Sequence, residues 1–148
     1  EEEWQFAAQG PESRLWPWLE PLTGEPRWWP EAEGQRMADA WGDKVNRAGG
    51  DTTTVFAHPH GRSPFGCWDM CGNTWEWTES EREDGRTRFC MLKGGSYFRA
   101  DDKCGWYTDG GPRPPFFSLK LILVWPGLDR KATVGFRCVT DIPPSNQQ

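Results

Sequence analysis

Apolar positions recur at helical spacing in one place, the start of the chain. Trp4, Ala7 and Ala8 fall on one face of residues 1–9. Acidic residues at the beginning suit the positive end of a helix dipole, and Gly10-Pro11 is a stop signal, so the pattern predicts a helix over 1–9. Residues 11–35 are rich in proline and tryptophan without a stable period, and read as an ordered loop packed by its own aromatics. The β-branched stretch 52–57 predicts a strand, and 58–66 is turn-forming. Residues 67–78 alternate loosely, and 80–86 read as a charged surface turn. A strand is expected over 88–97, broken at Gly94-Gly95 by a bulge or a close backbone approach. Residues 101–115 are loop, and 116–125 and 132–140 read as strands. Short strands in long loops with one helix predict an α+β or mostly-β domain, without internal repeats or a domain boundary.

Composition sharpens this picture. At 148 residues the chain has the length of one domain. Its 11 tryptophans offset a hydrophobic content of 36%, because each indole can bury on the order of 200 Å² and seed a core. An aromatic content of 14% argues against disorder for most of the chain. The net charge of −5 argues against non-specific binding to nucleic acid or anionic lipid. No apolar run approaches the roughly 20 residues of a membrane span. The chain opens on Glu1-Glu2-Glu3 with no basic-then-apolar leader: a leader has been removed, or the chain starts inside a gene product, or the protein is cytosolic. Secretion and a cytoplasmic location both stay open. The five cysteines (Cys67, Cys71, Cys90, Cys104 and Cys138) are an odd number, so at least one is unpaired or bonds to another chain.

Generic motifs carry little chemistry. Cys67 and Cys71 lack a second ligand pair at zinc spacing. His58 and His60 read as a metal pair or as two solvated loop histidines. There is no phosphate loop and no nucleophile elbow. Glu76, between Trp75 and Trp77, should not be buried unpaired, so a nearby arginine or a bound cation is expected.

The specific signal is an ordered series of blocks. It begins with Glu2-Glu3-Trp4-Gln5-Phe6-Ala7-Ala8, followed by Trp16-Pro17-Trp18 and Ala38-Asp39-Ala40-Trp41. Then come Phe65-Gly66-Cys67-Trp68-Asp69-Met70-Cys71-Gly72-Asn73-Thr74-Trp75-Glu76-Trp77-Thr78, Lys93-Gly94-Gly95-Ser96-Tyr97 and Gly135-Phe136-Arg137-Cys138-Val139. This series resembles the formylglycine-generating-enzyme, or sulfatase-modifying-factor, superfamily. The resemblance implies a C-type lectin-like fold, α+β, loop-rich, with short antiparallel strands and little helix. It implies a single domain over 1–142, with 143–148 as a tail. It also implies that the N-terminal part of the family domain, roughly a hundred residues, is absent. The open sheet edge this leaves would be covered by a second chain or by a homo-oligomer.

For cofactors, the resemblance implies a Ca²⁺ site formed by the side chains of Asn73 and Glu76 with backbone carbonyls near Gly72 and Thr74, all hard oxygen ligands. The alternative is that Asn73 and Glu76 only hydrogen-bond loop backbone and Arg137. Asp39 matches a second calcium-ligand position whose partner segment is shortened here, around 49–51. Copper-dependent relatives use two cysteines placed two and seven residues beyond the aromatic of Gly-Gly-Ser-aromatic, which here are Arg99 and Cys104. One thiolate beside an arginine does not make the soft two-thiolate site that Cu(I) needs, and Cys104 is the only carried-over catalytic candidate. Cys90 is the other thiol that could complete a pair. The family's disulfide partner for Cys138 falls near Ala8, which is not a cysteine.

Three functions compete. The first is a non-catalytic domain that binds a protein or a small molecule on the loop surface 98–118. Its contact residues would be Phe98, Arg99, Asp101, Asp102, Trp106, Tyr107, Asp109, Arg113, Phe116 and Phe117, with Phe116-Phe117 forming an exposed apolar anchor. A branch of the family, the variable proteins of diversity-generating retroelements, places hypervariable residues here, and 107–118 uses only residue types that such variation permits. The second is the C-terminal part of a formylglycine-generating or iron-dependent sulfoxide-synthase-type oxidoreductase. The third is a structural subunit that completes a partner chain. The first is preferred.

Overall fold

The computed structural model describes residues 1–18, 44–46, 51–98, 111–122 and 132–141. The helix predicted at the start is α1, Glu2–Gln9, with Glu2 and Glu3 in its first turn. Trp4 and Ala8 are buried on its inner face and Ala7 packs beside them, as the spacing predicts. Gly10 ends it at φ +71°, donating its N–H to the Phe6 carbonyl at 2.8 Å. A Cβ on Gly10 would come within 2.8 Å of Pro64, so the stop also lets the chain pack closely.

The strands are β1 (Trp75–Glu83), β2 (Arg88–Lys93), β3 (Leu119–Ile122) and β4 (Val134–Gly135), joined in the order β3-β2-β1-β4. β1 and β2 form a hairpin whose register jumps between Trp77↔Leu92 and Glu81↔Cys90. β1 therefore carries a bulge there, and Thr78 Oγ1 caps the Met91 carbonyl across it at 2.9 Å. β3 pairs antiparallel with β2. β4 runs parallel to β1, so the sheet is mixed, against the expectation of antiparallel strands alone. Parallel pairing needs a long crossover, and the chain from Glu83 to Val134 provides one. Mixed sheet, little helix and much loop make this an α+β domain.

Several boundaries differ from the sequence reading. β1 continues through the supposed charged turn, which shrinks to 84–87, where Asp84 Oδ1 accepts the N–H groups of Arg86 and Thr87 at 3.0 and 2.8 Å. Residues 52–57 form no strand. Thr53 gives its backbone N–H and carbonyl to the Asn73 side chain, and Ala57 N–H turns back to Thr54. A single 3₁₀ turn, Pro59–Gly61, follows. The strand expected over 132–140 shortens to Val134–Gly135, because Arg137 leaves the sheet to reach the site described below. The strand expected over 116–125 begins at Leu119, and positions 123–125 lie outside the described residues, as does most of the aromatic loop 11–35.

The core is gathered in small tryptophan-led clusters. Trp4 and Ala8 of α1 pack with Met70, and Trp75, Cys90, Leu92 and Leu121 pack on the sheet. Leu15, Trp16, Val45 and Cys71 make a third group, with Trp18 stacked on Trp16. Indoles thus supply the buried area that short strands cannot. Among the described residues no helix is long and apolar enough to cross a membrane.

Candidate functional site

Where β1 enters the sheet, Glu76 meets Arg137 of the C-terminal segment and Trp4 of α1, and Asn73 meets Asn46, Thr53 and Asp69. Glu76 is 6% exposed. Both of its carboxylate oxygens accept from the Arg137 guanidinium, and Trp4 Nε1 donates to Oε2. Arg137 also donates to the Trp68 carbonyl at 3.0 Å. Burial would lower the Arg137 pKa, but hydrogen bonding to Glu76 and the Glu76 charge outweigh it and raise it. One carboxylate thereby ties α1, β1 and the chain beyond β4 together.

Asn73 is the second tie. Its left-handed backbone, φ +60°, is one that Asn tolerates better than most residues. Its Nδ2 donates to the Thr53 carbonyl (3.1 Å) and to Asp69 Oδ2 (3.2 Å). Its Oδ1 accepts from Thr53 N (3.0 Å) and Asn46 Nδ2 (3.2 Å), so the amide is fully used. Burial raises the Asp69 pKa, and the hydrogen bond from Asn73 and nearby His58 and Arg137 pull the other way. Asn73 and Glu76 thus meet loop backbone, Arg137 and Trp4, and their side-chain oxygens face these donors. Among the described residues no three His, Cys, Asp or Glu side chains cluster as metal ligands.

A second arrangement lies at the foot of the predicted binding face. Ser96 N–H donates to the Gly111 carbonyl (3.2 Å), and Gly111 N–H donates to the Phe98 carbonyl (2.8 Å). Gly95 bridges Pro112. A Cβ on Gly95, at φ +79°, would lie 2.4 Å from the Gly111 oxygen, so the Gly-Gly break is a close backbone approach, as the sequence suggests. Chain positions 96, 98 and 111 are therefore clamped together in a hydrogen-bonded stem.

Of the predicted contact residues, Phe98, Arg113, Phe116 and Phe117 are described. Arg113 hydrogen-bonds through its N–H to the Gly94 carbonyl (3.0 Å), and its guanidinium lies 5.1 Å from the Phe117 ring centroid. The exposed Phe116-Phe117 anchor is corrected: both rings are half-buried. Phe116 packs on the Leu15–Trp16–Val45–Cys71 cluster and Phe117 on the Trp75–Leu92 cluster, beside buried Pro115. Arg99, Asp101, Asp102, Cys104, Trp106, Tyr107 and Asp109 lie outside the described residues, as does Asp39.

Four of the five thiols lie among the described residues. Cys67, Cys71, Cys90 and Cys138 carry no disulfide. Burial pushes the Cys71 thiol well up and the Cys90 thiol to about 11, so both stay protonated at neutral pH and Cys90 is a core residue of β2.

Sequence reasoning did not find the Trp4–Glu76 bond or the burial of Lys93. Trp4 reads as an apolar helix face and Lys93 as an ordinary charge. The available hint is that Lys93 ends an otherwise apolar strand run, Phe89-Cys90-Met91-Leu92.

Comparison with known proteins agrees with the motif series. A family model described as the sulfatase-modifying factor enzyme 1-like domain matches residues 1–142. The formylglycine-generating enzyme of Mycobacterium tuberculosis is 30% identical, covering 95% of this chain and 50% of that protein. The uncharacterized protein YfmG of Bacillus subtilis is 29% identical over 95% of this chain and 31% of its own length. The inactive C-alpha-formylglycine-generating enzyme 2 of Bos taurus is 30% identical over 69% of this chain and 32% of its own. The chain thus spans half or less of the length of these relatives.

Proposed function

Since the chain belongs to the sulfatase-modifying-factor family, we propose that it is a non-catalytic member, a binding domain on a formylglycine-generating-enzyme-like scaffold of C-type lectin type, with the loop face 98–118 as its contact surface. The observation that carries this reading is Arg99, which stands where copper-dependent relatives place the first thiolate. A single remaining cysteine, Cys104, gives Cu(I) no two-sulfur site. Similarity to relatives described as inactive, in Bos taurus and Mus musculus, supports it.

The clamped stem supports it as well. A loop that starts from fixed ends loses less entropy when it meets a ligand, so Trp106 and Tyr107 can act as contact anchors for a protein or small molecule. Cu(I) titration is the test. The expected result is no stoichiometric copper binding that depends on Cys104; one equivalent bound by the wild type and lost in Cys104→Ser would recover the oxidoreductase reading.

A second reading rests on the residue types of 107–118, all of them permitted in retroelement-driven variation. It makes the same face hypervariable. Sequences from several isolates test it: substitutions concentrated between Gly95 and Gly135 support it, and an even scatter refutes it.

A further inference from the structure

Aromatic side chains project from the outer face of α1 and from the turn packed beside it. Phe6 and Phe65 are 56% and 55% exposed, with ring centroids 5.3 Å apart. Phe56 is 73% exposed and meets the Trp68 ring edge-on at 5.1 Å. Arg62 lies over that same indole, 5.2 Å from its centroid. One tight turn carries Arg62, Phe65 and Trp68. Ser63 N–H donates to the Cys67 carbonyl, Gly66 N–H donates to the Ser63 carbonyl, and Cys67 N–H donates to Ser63 Oγ. The three exposed phenyl rings present roughly 300–400 Å² of apolar surface. Scattered single apolar residues need no explanation, but a fixed patch of that size does.

Charge runs along the patch in one direction. Glu2 and Glu3 are exposed and stand one helical turn before Phe6, on the same face of α1. At the other end of the helix Gly10 packs against Pro64, and the turn there bears exposed Arg62. From Thr52 to Trp68 the chain has no acidic residue. Among the described residues Glu2, Glu3 and Arg62 make no ion pair. The order is therefore acid, aromatic centre, base. A surface so ordered is complementary to itself, because a two-fold axis through its centre sets the acidic end of one copy against the basic end of the other. A cleft of about 430 Å³ runs along α1 past Glu2, Phe6 and Gly10, and offers a seat for a projecting ring such as Phe56.

We propose that this face joins two copies of the chain in an isologous dimer: Phe6, Phe56, Phe65 and Trp68 form its apolar centre, and Arg62 of each copy pairs with Glu2 and Glu3 of the other. The rings supply the buried area, and the charges at the rim fix register and speed encounter. The apolar centre is about half of the roughly 800 Å² that a standard interface takes from each partner, and flanking Glu2, Glu3, Arg62 and Pro64 supply the remainder. None of these residues belongs to the loop face 98–118 or to the edge strands β3 and β4, so the dimer leaves the residues of those surfaces uncommitted.

Sedimentation equilibrium of the whole chain, from micromolar to millimolar concentration, tests this. Expected is a reversible monomer–dimer equilibrium in the wild type. Arg62→Glu, the double variant Glu2→Lys/Glu3→Lys and Phe56→Ser should each weaken it by about tenfold or more. Each charge variant sets like charges against one another in its own dimer. In a mixture of the two both pairings become attractive again, so mixing should restore a dimer of wild-type affinity. A wild type that stays monomeric over the whole range would overturn the proposal. So would a dimer that Arg62→Glu and Phe56→Ser leave unchanged, or charge variants that weaken self-association yet do not rescue each other. If Glu2→Lys/Glu3→Lys unfolds α1, the wild type with Arg62→Glu and Phe56→Ser, both at exposed positions, still decides.

Discussion

Replacing Arg137 with leucine removes the guanidinium that pairs with Glu76 and keeps an apolar side chain. Among the described residues the carboxylate then keeps the Trp4 N–H as its donor, at 8% side-chain exposure. Removing one partner of a buried ion pair costs about 3–5 kcal/mol, most of it the penalty of the stranded charge. The Arg137 side chain is 29% exposed and Trp4 remains, so the low end, about 3 kcal/mol, applies. For a chain of this length that corresponds to a drop of roughly 6–12 °C in Tm. Urea denaturation of Arg137→Leu, Glu76→Gln and the double variant gives the cycle. The account expects the double variant to lose less than the sum of the singles by more than about 1 kcal/mol, because each single strands the other's partner. Arg137→Leu within about 0.5 kcal/mol of wild type, the range of ordinary surface substitutions, would refute the reasoning.

Three further outcomes follow from the same geometry. Gly95→Ala meets the Gly111 oxygen at 2.4 Å and should destabilise far more than Gly85→Ala, which also has positive φ but open space and should cost about 1 kcal/mol; equal losses by urea unfolding would mean that the stem is not clamped. Millimolar Ca²⁺ and then excess chelator should leave the urea midpoint unchanged, since donors already occupy the Glu76 and Asn73 oxygens; a saturable rise abolished by Glu76→Gln would restore the calcium site. In native protein at neutral pH, exposed Cys138 should react with a thiol reagent well before Cys71 and Cys90, which need unfolding; rapid modification of Cys90 would contradict its place in the sheet core.

The sequence disclosed the features that depend on near neighbours. Helix α1 is legible because Trp4, Ala7 and Ala8 share a face and Gly10 stops it. The Gly94-Gly95 break is legible because two glycines inside a strand pattern have few other uses. Features set by distant partners were not legible. Nothing in 52–57 reveals that Thr53 will spend its backbone on Asn73. The charges of 80–83 look like a turn because β1 extends beyond the core, where its side chains face water. The parallel return of β4 depends on a connection of some fifty residues, which a local pattern does not encode. An arginine partner for Glu76 is one of the two expectations its sequence context raises, whereas the burial of Lys93 is not legible, because period and charge are silent about a helix that folds back over a lysine. Phe116 and Phe117 mislead for the same reason: beside prolines in a polar loop they read as exposed, and only the packed fold turns them inward.

The binding-domain account stands on the absence of oxidative chemistry, so the direct measurement supplies that chemistry's ingredients. The purified chain is incubated with Cu(I), oxygen and a cysteine-containing peptide, and the peptide is followed by mass spectrometry. The account predicts that the cysteine is recovered without enzyme-dependent conversion, at a rate equal to that of a Cys104→Ser control. Catalytic turnover of the thiol that Cys104→Ser abolishes would contradict it.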